Sequence, residues 1–239
     1  MDDQNSLLAT IWRLTAGNAE LWMSGIWQTV WLVGLSLAIG LMIAVPLGIW
    51  LAARMHWAWK LPALAFSYVF RGTPMLVQLY IFYFGIGLII GRIPGVRDMA
   101  LWPYLRQAWP WVLLTLVLNT AAYTSEIVRG AIETTPRGEI EAARAMGMRR
   151  SQITRRIVLP GAARRALPAY GNEIIFMLHG SAIVSTATLL DITGVARKIY
   201  ADTYDPFIPF ITAGVIYLLI TAILVGTFRR LEKRWTRHL

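Results

Sequence analysis

Apolar and polar positions divide the 239-residue chain into five long, almost uncharged stretches joined by polar links. The first, residues 21–53, exceeds the roughly 20 residues that cross a bilayer, which predicts a tilted helix or one whose ends lie in the interfaces. The second lies within 61–91 and is interrupted by Arg71; the third covers 107–125. The fourth, 174–190, is short and contains His179, and the fifth covers 206–228. Such continuous runs lack the alternation of barrel strands, and a lipid-exposed backbone must bond to itself, so each run predicts an α-helix. The fold expected is an all-α membrane protein with five transmembrane helices.

Lysine and arginine near the spans set the orientation. The link between the first two spans carries Arg54 and Lys60, and the link between the third and fourth carries nine arginines from Arg129 to Arg165. The C-terminal tail adds Arg229, Arg230, Lys233, Arg234 and Arg237. These regions belong on the cytoplasmic side. The N-terminal tail has only Arg13, and the link between the last two spans only Arg197 and Lys198, so both are expected outside. Arg92, Arg97 and Arg106 run against the pattern. The expected topology has the N-terminus periplasmic and the C-terminus cytoplasmic. Tryptophans such as Trp27, Trp50, Trp57, Trp59, Trp102, Trp109 and Trp111 cluster near the span ends, as an aromatic belt would.

Composition narrows the function classes. Hydrophobic residues make up 56% and charged residues 15%, and the net charge of +10 sits at span ends and in blocks, so a basic nucleic-acid-binding stripe is not expected. The absence of cysteine excludes disulfides and thiolate metal sites. His56, His179 and His238 are too scattered to suggest a metal centre. The Met-Asp-Asp start lacks the basic region and short apolar core of a cleavable signal, so insertion is expected to come from the spans. No G-x-x-x-x-G-K-[ST] phosphate loop occurs, so no nucleotide cofactor is expected on this chain.

The link within 129–172 is the informative one. Glu141-Ala142-Ala143 is followed after three residues by Gly147, and after nine more by Ile157, one residue and Leu159-Pro160. Residues 138–145 favour helix, Gly147 supplies a stop, and Ser151 is placed to cap a second helix running to Leu159 and ended by Pro160. Two short helices with Ala142 and Ala143 on one small-residue face make a knob suited to a partner's groove. The same basic link also suits a loop lying on anionic lipid.

This spacing closely resembles the EAA loop of binding-protein-dependent ABC importer permeases. Phe70-Arg71-Gly72-Thr73-Pro74 with Val77-Gln78-Leu79, and residues 119–132, are similar to the polar amino-acid permeases of that class. Residues 172–179, Asn-Glu-Ile-Ile-Phe-Met-Leu-His, are similar to the M-type subunits of histidine/lysine/arginine/ornithine permeases and their octopine and nopaline relatives; related permeases usually carry lysine where His179 stands. The resemblance implies one transmembrane domain over 1–239 in the bacterial inner membrane. It implies that Glu141, Ala142, Ala143, Gly147, Ile157, Leu159 and Pro160 couple to a cytoplasmic ATPase. It also implies a second homologous permease subunit, two ATPase subunits that bind ATP and magnesium, and a periplasmic substrate-binding protein.

Polar residues inside the spans are the path candidates. Arg71 is costly in hydrocarbon and is expected to pair with a carboxylate such as Glu126, or to act at a gate; Gly72 and Pro74 are placed to break the helix beside it and Thr73. Asn119, Thr120, Tyr123 and Glu126 share one face, which suits either interhelical hydrogen bonds or a pathway lining. Glu173 suits either a basic substrate or a place at the cytoplasmic interface, and His179 suits a packed or hydrogen-bonded role more than a ligand's. Ser181, Ser185 and Thr188 suit a helix contact. Asp191, Asp202 and Asp205 form either an acidic vestibule or a solvated set. His179 and Ser181 are two apart on one helix, so they do not make a nucleophile–base pair. A passive channel or scaffold would explain the spans but not the loop. The expected cargo is a basic amino acid, with opines or neutral polar amino acids as the alternative.

Overall fold

The computed structural model describes residues 9–53 and 55–235; Asp2, Asp3, Arg54, Arg237 and His238, used in the charge, signal and metal arguments, lie outside them. Among the described residues the regular structure is helical: α1 (Ala19–Ala52), α2 (Trp57–Gly72), α3 (Met75–Tyr80), α4 (Gly87–Ile90), α5 (Trp102–Leu105), α6 (Ala108–Glu133), α7 (Arg137–Ala145), α8 (Arg150–Ile153), α9 (Leu159–Gly180), α10 (Ile192–Thr203) and α11 (Phe207–Trp235). Wide π-helical turns at Ile81–Ile86 and Thr154–Val158 join α3 to α4 and α8 to α9, and a tight 3-10 turn, Ser181–Ala187, follows α9.

Three helical stretches among the described residues are long and apolar enough to cross a membrane: Ala9–Ala52, Ala108–Glu133 and Phe207–Trp235. Two broken pairs, Trp57–Gly72 with Met75–Ile90 and Arg150–Ala187 with Ile192–Thr203, raise this to five if each is one span. The break between α2 and α3 is where Pro74 predicts it. Proline disfavours helix for the residue before it, and Thr73 is extended (φ −115°, ψ 144°).

Two expected boundaries move. The third helix runs past residue 125 to Glu133, because its added charges pair along the helix: Arg129 with Glu126 three residues back, and with Glu133 four residues on. The fourth helix neither starts at 174 nor ends at Leu190. It begins at Leu159 and tightens after Gly180, where Ser181, Ser185 and Thr186 each bond the carbonyl three residues back, the spacing of a 3-10 turn.

The chain forms two compact units. The first contains the described part of 1–36 with Met75–Leu116 and Met177–Leu224. Its core gathers Leu14, Trp22, Ile192, Val195, Ile199 and Ala213. Asp191 is buried there as the cap of α10: its Oδ1 accepts from Gly194 N at 2.8 Å and its Oδ2 from the Tyr217 hydroxyl at 3.3 Å. Thr29 of α1 accepts from Ile192 N at 3.2 Å. Asp205 accepts from Phe207 N at 2.9 Å at the start of α11. Of the three aspartates expected at the outer end, Asp191 and Asp205 are thus helix caps rather than free charges, and Asp202 remains in an open concavity with Glu20 and Lys198.

The second unit contains Leu37–Pro74, Val117–Phe176 and the described part of 225–239. Its centre is the close approach of α1 and α6. Gly40, Ala44 and Gly48 form a stripe of small residues at four-residue spacing on α1. A Cβ on Gly40 would lie 2.5 Å from Thr120 Cγ2, and one on Gly48 would lie 2.6 Å from the Ser125 carbonyl oxygen. Membrane helices approach this closely only over small residues. Thr120 is therefore turned towards α1, away from the face formed by Asn119 and Tyr123. The helix α6 is largely buried, 61% of its most apolar stretch.

Candidate functional site

The break at Pro74 leaves the last carbonyls of α2 without helical partners. The polar face of α6 meets them. Asn119 Nδ2 donates to Phe70 O at 3.3 Å, and the Tyr123 hydroxyl donates to Arg71 O at 3.3 Å. Thr73 turns its own hydroxyl back to Val69 O at 2.7 Å. Asn119 and Tyr123 are one turn apart, which is the spacing needed to hold two successive carbonyls of a broken helix.

One turn further along α6, Glu126 collects the charges. Its Oε1 accepts from the Ser67 hydroxyl at 3.0 Å and lies 3.7 Å from Arg71 Nη1. Its Oε2 accepts from Arg129 Nε at 2.7 Å and Nη2 at 2.6 Å. The Arg71 guanidinium also lies 5.4 Å over the Tyr123 ring, a cation–π distance. The expected pairing of Arg71 with Glu126 is present, and both carboxylate oxygens of Glu126 are occupied. Glu133 is taken by Arg129 at 3.5 Å. Glu173 on α9 is buried, at 7% exposure, and makes no ion pair or hydrogen bond among the described residues. Among the described residues Glu126 and Glu133 are thus ion-paired, and Glu173 is not.

His179 and Ser181 belong to the first unit. His179 is exposed and its Nε2 lies 3.1 Å from the Thr221 hydroxyl, a hydrogen bond. Ser181 is 1% exposed and its hydroxyl is spent on Leu178 O at 2.7 Å.

The basic link folds as two short helices around Gly147, which is left-handed (φ 76°). Gly147 N bonds Arg144 O at 2.9 Å and Met148 N bonds Ala143 O at 3.1 Å, the paired bonds of a Schellman ending for α7. Three expectations change here. Arg149, not Ser151, caps α8, and its backbone N–H is held by Gln152 Oε1 at 2.9 Å. The helix does not stop at Pro160 but continues as α9, because the wide turn at Thr154–Val158 precedes the proline and relieves its clash with the turn before it. Ala142 and Ala143 do not share a face: Ala143 is buried at 3%, while Ala142 is exposed with Met146, one turn on and 81% exposed. Of the remaining loop residues, Glu141, Gly147 and Pro160 are exposed, and Ile157 and Leu159 are half-buried.

Residues not singled out as site candidates from the sequence complete both regions. Ser67 sits one turn before Arg71, and Arg129 three residues after Glu126; helical spacing alone could have found both. Arg165 of α9 donates to Ala131 O at 3.1 Å and to the Thr135 hydroxyl at 2.6 Å, tying the root of α9 to the end of α6. Its partners lie about thirty residues away in sequence, and no local pattern announces them.

A polar node on broken membrane helices, beside a compact basic knob, defines a transport component. The chain belongs to the family of binding-protein-dependent transport system inner membrane components, whose model matches residues 44–237. It is 44% identical to the histidine/lysine/arginine/ornithine transport system permease protein HisM of Escherichia coli over 215 residues, 90% of this chain and 89% of that protein. It is 42% identical to the octopine transport system permease protein OccM of Rhizobium meliloti over 210 residues, 88% of this chain and 84% of that one. The crystal structure of an amino acid ABC transporter with histidines superposes with a TM-score of 0.80 at 32% identity, covering 92% of this chain and 96% of that one. An inward-facing MetNI methionine ABC transporter shares the fold, with a TM-score of 0.74 at 20% identity over 92% of this chain and 99% of that one. The chain is therefore a multi-pass inner-membrane component and not itself an enzyme; ATP hydrolysis belongs to a separate subunit, and the passive-channel and scaffold readings give way.

Proposed function

We propose that this chain is the permease subunit of an ABC importer whose cargo carries a cationic side chain, such as arginine, lysine, ornithine or histidine. The observation that carries the reading is buried Glu173 on α9, which has no ion pair or hydrogen bond among the described residues, while Glu126 and Glu133 are paired with Arg71 and Arg129. A substrate ammonium or guanidinium at Glu173 gives it a partner and offsets part of its own desolvation cost through charge-assisted hydrogen bonds. The relative named for histidine, lysine, arginine and ornithine supports it, since each of these molecules has a basic side chain.

In this reading Arg71, Thr73, Asn119, Tyr123 and Glu126 shape the path around the α2 break, while His179 and Ser181 act through packing. Glu141, Ala142, Ala143, Gly147, Ile157, Leu159 and Pro160 form the ATPase-coupling element, with Ala142 and Met146 as its outward apolar edge. The protein works as one transmembrane domain with five spans, N-terminus outside and C-terminus inside. It pairs with a second, homologous permease, with two ATPase subunits that bind ATP and magnesium, and with a periplasmic binding protein. An active assembly in which this chain is the only permease would reject the heterodimer.

The test is substrate-stimulated ATPase activity of the reconstituted importer at matched binding-protein saturation. Arginine is expected to stimulate, and Glu173→Gln to weaken that response more than Asp202→Asn, where solvent screens the charge. Stimulation by octopine or glutamine but not by arginine would favour the opine or neutral-substrate reading, which the OccM similarity keeps in play. Gly147→Trp, alone and with Glu141→Lys, is expected to abolish coupled uptake while leaving membrane insertion intact. Undiminished ATP-driven uptake in both would remove the coupling assignment.

A further inference from the structure

Where α1 ends, the basic link encloses a groove of about 470 Å³. Ile49 and Ala52 of α1, Ile132 of α6, Ile140 of α7, Ile153 of α8 and Leu159 of the coupling motif give it an apolar floor, and the exposed Arg144 and Arg150 are its charged lining residues. The floor is thus built from the last turns of two membrane-length helices, the inner faces of the two link helices and the first residue of α9. The two cations have no ion pair among the described residues, whereas Arg129 nearby is consumed by Glu126 and Glu133. The link as a whole carries nine arginines against Glu133, Glu139 and Glu141.

We infer that this groove binds one anionic phospholipid, its tail on the isoleucine floor and its phosphate on Arg144 and Arg150. An apolar cavity at a span end, in contact with a bilayer, offers a hydrocarbon chain the same surroundings as the membrane, so the tail gains or loses little by entering. The selectivity comes from the head. Guanidinium forks match phosphate oxygens, and a basic pocket at the cytoplasmic boundary of membrane helices favours an anionic headgroup. A zwitterionic lipid brings a compensating cation to the same place and gains less. Bound there, the lipid bridges α1 and α6 to α7 and α8, and so braces the knob against the spans. The inference rests on the membrane-component reading and on the basic link lying at the cytoplasmic face; it does not depend on the cargo.

The test uses the assembled importer in nanodiscs of equal parts phosphatidylglycerol and phosphatidylethanolamine, with a benzophenone amino acid in place of Ile153, and identifies photo-adducts by mass spectrometry. Phosphatidylglycerol adducts are expected in excess. Each guanidinium near the headgroup contributes about a fivefold preference, so Arg144→Gln with Arg150→Gln should reduce the excess about 25-fold. Arg229→Gln, outside the groove, should leave it unchanged, and Ala52→Phe, which fills the floor, should remove adducts of both lipids. Equal labelling of the two lipids, an excess unaffected by the arginine pair, adducts to the ATPase chain in place of lipid, or no adducts would each overturn the inference. Because the readout is a lipid adduct and not transport, a wrong cargo assignment leaves it untouched.

Discussion

Replacing Gly48 with alanine tests the α1–α6 approach directly. The added Cβ would stand 2.6 Å from the Ser125 carbonyl oxygen, 2.6 Å from Val128 Cβ and 2.7 Å from Val128 Cγ1. Non-bonded carbons prefer about 3.5–4 Å, so the methyl must gain roughly 1 Å on three atoms at once. Two of these, a backbone oxygen and a Cβ, are not able to rotate away, so the helices themselves must part. Overpacking of this kind costs about 1–3 kcal/mol, and rigid neighbours place it in the upper half. Alanine in place of glycine inside a helix returns about 0.5–1 kcal/mol. The net expectation is a loss of about 1–2 kcal/mol. Gly34, on the same helix, has nothing within 4 Å of the place a methyl would take, so Gly34→Ala should keep only the helical gain and stabilise by about 0.5–1 kcal/mol. Equilibrium unfolding of the two variants in mixed micelles reads the difference, about 2 kcal/mol, or some thirtyfold in the folded-to-unfolded ratio. Equal stability of the two variants, or a more stable Gly48→Ala, would refute the close approach.

Other substitutions probe single contacts. Asn119→Leu removes the bond to the Phe70 carbonyl at the end of α2 and should cost about 0.5–1.5 kcal/mol in the same unfolding assay, with Asn119→Gln showing part of the loss. Asp191→Ala removes the cap of α10 and the partner of Tyr217 and should cost about 1–2 kcal/mol, while Asp202→Ala, at an open site, should change stability by less than about 0.5 kcal/mol. Arg165→Met keeps the stem but drops the bonds to Ala131 and Thr135; it should destabilise by about 1–3 kcal/mol and raise hydrogen exchange at the end of α6, and unchanged exchange there would remove Arg165 as a tie.

The break at Thr73–Pro74 was legible because proline acts on the residue before it wherever it stands. Gly147 was legible because a Schellman ending wants a left-handed residue. The loop spacing and the family followed from fixed positions in the chain. Span ends were less legible. A hydropathy reading stops at the first charges, but Glu126, Arg129 and Glu133 satisfy one another along α6 and the helix continues through them. The outer aspartates look alike in sequence; what separates buried Asp191 from Asp202 is that Tyr217 of α11 and Gly194 reach the first. Asn119 and Tyr123 were placed on one polar face, but that they would hold the carbonyls of α2 depends on a packing forty-nine and fifty-two residues away.

Within the second unit the node and the knob are joined by α6. Asn119, Tyr123 and Glu126 hold the broken end of α2 along one side of it. Ala131 and Thr135, at its end, hold Arg165 at the root of α9. The same α9 carries Glu173 and grows directly out of the link helices. From Asn119 to the end of the helix is about 20 Å at 1.5 Å per residue. A single uninterrupted helix resists bending over that length, so a push on the knob moves α6 and α9 together at their roots and is felt at the α2 break. At that break side chains, Asn119 and Tyr123 among them, hold carbonyls of α2 in place of a helical ladder. A stroke delivered at the proposed coupling element therefore reaches Glu173 and the Arg71–Glu126 pair at once, where the cargo charge is proposed to sit. This arrangement requires no chain of flexible intermediates, only two rigid helices and one end capped by side chains.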